Sequence, residues 1–449
     1  MADTQLQKNT SIEQQPAQER AVSTDFYKLL KKYGGFEAVK GFIPSISDLN
    51  PARPAPRNIL LKDEEKREKR EKLIQELNEW KKILSEDKKD VFEYQKYCEE
   101  QITENINQLR ENIDIALEAT APLERAYRTL DLFFQNAHSN RVNHLLLLNA
   151  NDKDIKDIAY LNDTVEEILD SRSDDFSMEE SISLMVLPGC KLTTSALRKA
   201  WATKAKDHFV LLITDTDRAD SFESLLADTE EAKLGGSDPA YQNMVVTGNW
   251  IKGRDSEKMS DTEKNEKAFF IPASGALAGK LYDESVTIGQ AASGEEYGTF
   301  FGVDDVEIPL RVKQTEQLRA LRIVPIIKMG KNVMPYYNCN LYTGADELLQ
   351  EYSVIRVREW VKKVLKHFAH KSIGKNWDRY NSPDEIEGKI KEFFSQYKGH
   401  GKMFEDFTVA KPHQLDDGTV VIDVSIKHFM AANSFEIHVS KKEGKVKVM

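Results

Sequence analysis

The clearest pattern of apolar and polar positions lies near the end of the chain. Within residues 418–429, Val420, Ile422, Val424 and Ile426 alternate with Val421, Asp423, Ser425 and Lys427. A period of two marks a strand with one face against a core. After a turn-like stretch at 431–434, Phe435, Ile437 and Val439 alternate with Glu436, His438 and Ser440. The two runs predict a terminal hairpin trailed by a charged tail. Hairpin edges carry unpaired backbone donors and acceptors, and strands from other chains are one way to cover them. Upstream, Val354, Val357, Val361, Leu365 and Phe368 predict an amphipathic helix over 352–373. Ser382-Pro383-Asp384-Glu385 starts another, with Ser as cap and Pro at the first position. The chain end reads as an assembly joint.

The opposite end complements it. Residues 1–22 are polar and read as a tail without structure, and 25–42 as a helix broken at Gly34-Gly35. Residues 43–57 hold Pro44, Pro51, Pro54 and Pro56. Proline fixes the backbone and removes a donor, so this stretch predicts an extended arm. The arm leads into Asn58, Ile59, Leu60 and Leu61, a short run able to pair as an edge strand. Leu73, Leu77, Trp80 and Leu84 then mark one helix face. Phe92, Cys98, Ile102, Ile106, Leu109, Ile113 and Leu117 mark a second helix, and the two predict a helical hairpin joined near 85–90. No coiled-coil seam of several heptads is evident.

From Pro122 the texture changes to helices alternating with apolar runs. Residues 123–135 and 155–170 predict helices. Residues 142–148, 208–214 and part of 320–329 predict strands buried on both faces. Residues 232–298 read as loops or an insertion. Strands separated by helices define an α/β core. The segments are then a tail and arm at 1–61, a charged helical segment at 62–121, an α/β core at 122–345, and C-terminal helices with the hairpin at 346–449.

Composition narrows the classes. The chain has 449 residues, 40% hydrophobic and 31% charged, enough for a sizeable core. A net charge of −11 argues against general nucleic-acid binding. No apolar run approaches the roughly 18 residues of a spanning helix, and residues 1–18 lack a signal core. Cys98, Cys190 and Cys339 are far apart and suit free thiols in a reducing compartment.

Candidate chemistry is thin. Asp215 and Asp217 follow an apolar strand, where ligand and magnesium sites gather in open α/β sheets. Without a phosphate loop or partner acids, capping of the next helix or turn is the plainer reading. His367 and His370 are spaced for two metal ligands, but a third is not evident. Arg356, Arg358, Lys362, Lys363, Lys366 and Lys371 face the single acid Glu359 on one helix. They offer a docking face for an acidic surface or an ordinary solvated one. The sequence offers no catalytic constellation, cofactor motif or metal site.

An ordered series of segments resembles a known family. The stretch SVIRVREWVKKVLKHFAHKSIGKNWDR looks like the helix before the C-terminal domain of the large contractile-sheath subunit of type VI secretion systems, the TssC/VipB family. There an R-x-A-H-Y-like segment runs into an I-G turn, as Phe368-Ala369-His370 runs into Ile373-Gly374 here. SPDEIEGKIKEFFSQYKG resembles the next short helix, and GTVVIDVSIKHFMAANSFEIHVS the closing strands. LERAYRTLDLFFQNA and VNHLLLLNANDKDI resemble an upstream helix with its following strand and loop. The likeness spans about 123–439. Tyr127 stands for a usual Trp and Lys427 for a usual Pro, as in a divergent branch such as that of Bacteroidota.

The resemblance implies a structural, non-enzymatic role in the cytoplasm, without cofactor. Implied partners are a small TssB/VipA-like sheath subunit, further copies of the chain, an inner tube, a baseplate and an AAA+ ATPase that dismantles the contracted form. Neither nucleic acid nor membrane insertion is implied. The candidate inter-subunit strands are Asn58, Ile59, Leu60 and Leu61 as donor, with Val420, Ile422, Val424, Ile426, Phe435, Ile437 and Val439 as acceptor. Two other classes remain at this point: an α/β enzyme using Asp215 and Asp217, and a helical scaffold built on 62–120.

Overall fold

The computed structural model describes residues 32, 67–86, 90–137, 142, 144–173, 181–190, 192, 194–254, 269–283, 289–373, 382–416 and 418–430. The arm at 58–61 and the second hairpin run at 434–440 lie outside the described residues. The chain divides into two compact units, 1–119 and 120–449.

In the first unit, helix α1 (Arg67–Ser85) buries Leu73 and Leu84 and half-buries Leu77 and Trp80, the face its spacing predicts. Helix α2 (Val91–Ala137) is a single 47-residue helix that begins in the first unit and, from residue 120, belongs to the second. Its stripe is mostly uncovered: Phe92, Ile102, Ile106 and Leu109 are exposed. The helix does not stop at Pro122, the expected boundary, but carries the proline inside it.

The second unit is built on a five-stranded sheet of order β1-β2-β3-β6-β7. Its first three strands are β1 (Leu184–Leu187), β2 (Leu211–Asp215) and β3 (Met244–Gly248). They run parallel to one another and to β6 (Val324–Met329), while β7 (Asn332–Pro335) returns antiparallel. Successive residues of the central strands feed two different clusters. Leu211, Ile213 and Val245 enter one, and Leu212, Met244 and Val246 the other. Both faces are therefore covered, which explains why these strands read as continuous apolar runs.

The segment between α2 and β1 contains α3 (Asp152–Lys156), α4 (Ile158–Tyr160), a π-helical turn at Leu161–Val165 and α5 (Glu166–Ser173). The helix expected over 155–170 is thus built in pieces. One face of the sheet is covered by α6 (Ser195–Asp207), α7 (Phe222–Ala232) and α10 (Val312–Ala320), through Leu197, Trp201, Leu225 and Leu318. The other face meets α8 (Ser274–Tyr282) through Ala276, Leu277 and Leu281.

Three expectations are corrected. The described residues of 232–298 are not simply loops, while the polar stretch at 255–266 lies outside the described residues. They hold the central strand β3, the hairpin β4 (Ile251–Arg254) with β5 (Phe269–Ile271), α8, and the short α9 (Gly294–Gly298). The mix of Gly and polar residues concealed a buried Met-Val-Val run. The strand expected at 208–214 begins at Leu211, because His208 caps α6 and Phe209 takes φ 58° to turn the chain. Residues 144–148 form no strand, and all four leucines there are exposed.

Candidate assembly surfaces

The C-terminal part of the second unit is organised by α11 (Tyr352–Ser372). Its first turns place Tyr352 and Ile355 in the core beneath the sheet. Further along, Val357, Val361 and Val364 join a separate cluster. Helix α12 (Pro383–Ser395) completes that cluster with Ile386, Ile390 and Phe394. As expected, Ser382 caps α12 by accepting from Glu385 N at 3.3 Å, with Pro383 at the first position. Trp360 stacks on Phe393 at 6.0 Å between ring centroids, and Phe394 meets Phe404 and Phe407 edge-on or tilted.

On this platform lies a two-stranded antiparallel sheet of β8 (Asp406–Val409) and β11 (Val424–Lys427). A second small sheet pairs β9 (His413–Gln414) with β10 (Val420–Val421). The single strand expected over 418–429 is therefore broken at Ile422-Asp423, and each half pairs with an upstream strand. Asp423 O instead accepts from Ala410 N at 2.9 Å. The alternation itself holds where it matters: Ile422, Val424 and Ile426 pack on the cluster while Ser425 and Lys427 are exposed. Each two-stranded sheet has one free edge per strand among the described residues. Val420 is half-buried in β10. Phe435, Ile437 and Val439, like Asn58, Ile59, Leu60 and Leu61, fall outside the described residues.

The basic residues of α11 do not form one solvated face. Arg356 turns inward and donates from Nη2 to Leu281 O at 2.7 Å, and burial lowers its guanidinium pKa to about 10. Arg358 and Lys362 converge on buried Glu359, at 2.8 and 3.0 Å. Lys363 donates to Ile182 O, and burial lowers its ammonium pKa to about 8. Lys366 is half-buried and Lys371 exposed. Hydrophobic spacing located the helix but not the neighbours that receive its cations. Charge reversal at Lys362 or Lys363 would disturb the fold itself, because one pairs with a buried acid and the other is itself desolvated.

The remaining candidates resolve into structure. Asp215 is buried and accepts four bonds: from Gly189 N and Ser274 N at 2.9 Å each, and from Thr247 Oγ1 and Ser274 Oγ at 2.5 Å each. Burial raises its carboxyl pKa, and the four donors offset part of that rise. It does not cap the next helix, since Ser221 caps α7. Its partner is instead the first residue of α8, so one carboxylate ties β2 to β3, to the loop after β1, and to a helix N-terminus. That cross-linking has no signature in local sequence. Asp217 is half-buried, as are His367 and His370. Among the described residues, no three acids, histidines or cysteines are grouped to hold a metal. The three cysteines are free thiols. No described helix is long and apolar enough to cross a membrane.

These features define an α/β protein with an attached helical and β platform; no catalytic centre is assembled among the described residues. Three family models match consecutively. The TssC/VipB-like N-terminal region matches residues 24–113, the type VI secretion system TssC/VipB central domain 115–343, and the TssC/VipB-like C-terminal domain 351–448. The chain belongs to the TssC/VipB family of type VI secretion systems. It is a contractile-sheath subunit, a structural protein and not an enzyme.

The sequence matches no curated protein. Solved structures similar to it include the anti-feeding prophage helical sheath in the contracted state, 17% identical with TM-score 0.47, covering 70% of this chain and 81% of that one. The PVC sheath complex of an extracellular contractile injection system, also contracted, is 13% identical with TM-score 0.43, covering 58% and 71%. The sheath tail protein of Desulfitobacterium hafniense is 12% identical with TM-score 0.36, covering 60% of each chain.

Proposed function

We propose that this chain is the large half of a two-protein sheath unit in the cytoplasm. It pairs with a smaller sheath subunit, and the pairs stack in rings around an inner tube. Contraction drives the tube outward through a baseplate, and an AAA+ ATPase dismantles the contracted polymer. The observation that carries this reading is the run of three models of one sheath family along the chain.

The joint between units is an inter-subunit sheet. The free edges of β10 and β11, with the run at 434–440, accept strands, and residues 51–61 of another copy supply one. A proline-rich arm gives up little conformational entropy on docking. Each added backbone hydrogen bond contributes roughly 0.5–1.5 kcal/mol. Several in parallel outlast a movement that breaks ordinary surface contacts. Of the basic residues on α11, Lys366 and Lys371 remain accessible enough to face the tube or the small subunit.

Deletion of residues 1–61 tests the joint. Pairing with the small subunit and the protected amides of β2 and β3 should persist, while long or contractile sheaths disappear from electron micrographs. Full-length contracting sheaths made by the truncated chain would remove the arm from this role.

A further inference from the structure

Helix α2 changes character at Pro122. Its buried residues, Thr129, Leu132, Asn136 and Ala137, all lie beyond the proline. Beyond it the helix is also tied to the second unit. Arg128 donates from Nη1 to Gly253 O at 2.7 Å, and Arg125 lies over Trp250 and Phe269 at 5.7 and 5.6 Å from the ring centroids. Asn136 donates to Phe301 O at 3.2 Å and accepts from Phe301 N at 2.9 Å. Gly275 and Gly279 let α8 approach Thr129 and Phe133 closely.

The stretch before the proline has no such seat. No residue from Val91 to Arg128 is buried. Around the joint, Ala116, Glu118, Ala119, Thr120, Pro122 and Leu123 are exposed. The division into two compact units falls between 119 and 120, just before Pro122.

The backbone is weakest at the same place. Proline has no N–H to donate, so no bond from residue 122 reaches Glu118 O. Its ring crowds the carbonyl of the preceding turn, which is why interior prolines kink or break helices. Packing on both sides of a proline can hold such a helix to one direction. Here the flanking side chains are exposed and mostly small, so nothing described fixes the angle.

We propose that Pro122 is a hinge. The stretch of α2 before it changes direction relative to the stretch after it as the sheath passes between its two states; this rests on the contraction reading above. From Val91 to Ala121 the helix is about 46 Å long, at roughly 1.5 Å per residue. A bend of about 20° at its base carries the far end about 16 Å. A neighbour held by that stretch can therefore shift by more than a helix diameter while β2, β3 and α8 keep their packing. A rigid rod would have to break one set of contacts instead.

Spin labels on Asn107→Cys and Glu316→Cys, both exposed positions, report the bend by pulsed electron–electron double resonance. The chain also carries Cys98→Ser and Cys190→Ser, and amides of β2 protected in every variant prove folding. With Pro122 the distance distribution should be at least twice as broad as with Pro122→Ala, which restores the missing bond. Pro122→Gly, which restores the bond without the stiffness, should stay broad. Equal widths for Pro122 and Pro122→Ala would overturn the hinge. In sheaths made with the small subunit, the mean distance should differ between extended and contracted forms. Pro122→Ala should lower the contracted fraction at least tenfold, and unchanged contraction would overturn the role in the transition. A wild-type chain that forms no sheath would remove the contraction reading and that role together, while the comparison of widths still decides the hinge.

Discussion

Lys363 sits on α11 with its ammonium desolvated and its one described acceptor the carbonyl of Ile182. Its folded pKa of about 8 lies below the ordinary 10.5. Between these values the unfolded chain holds a proton that the folded chain has released, so stability rises with pH across that window. Below about pH 8 both states are protonated and the full burial penalty applies. The stability difference between the wild type and Lys363→Met should therefore move toward the wild type as pH is raised from 8 to 10.5, by roughly 3 kcal/mol at most. Denaturant titrations of both proteins across that range measure it. A difference that does not change with pH would show that Lys363 keeps its proton when folded. At this scale the sequence was least informative. It presented Lys363 as one of six equivalent cations, and Asp215 as a ligand or cap. Burial and partners from distant segments, Ile182 for one and Ser274 for the other, decide both.

Elements were more legible than residues wherever periodicity faced a core. The amphipathic spacing of α1 and α11, the cap of α12 and the buried runs of β2 and β6 all carried their own signal. The reading failed where context overrode pattern. Four leucines at 145–148 look like a sheet interior and lie exposed. Pro122 looks like a boundary and lies inside a helix. The loop-like stretch after Ala232 hides β3 and α8. Gly275 and Gly279 show what those glycines are for. A side chain at Gly275 would meet Thr129, and one at Gly279 would meet the carbonyl of Phe133 and the Asn136 side chain. Their four-residue spacing lets α8 approach α2 backbone to backbone. Gly279→Val should destabilise the chain by about 1–3 kcal/mol or more through overpacking. Gly388→Ala, on α12 with no atom within 4 Å of the added carbon, should stabilise it by about 0.5–1 kcal/mol. Thermal or denaturant unfolding reads both signs. A neutral Gly279→Val would mean that α8 has room to move away from α2.

Across the whole molecule, the features that remain unsatisfied point outward. The edges of β10 and β11, the stripe of α2 and the leucine run are uncovered among the described residues, whereas the Asp215 network is internally complete. That distribution suits a protein whose work is done by surfaces between chains. The family was legible in the sequence because it rests on an ordered series of motifs. Which edges stay open was not, because pairing depends on segments far apart in the chain.

The most direct measurement is electron microscopy of this chain co-expressed with the smaller sheath subunit proposed as its partner. The account requires long hollow tubes of stacked rings, with a strand from a neighbouring unit beside β10 or β11. Discrete small oligomers or a stable monomer, with those edges uncovered in the pair, would contradict it.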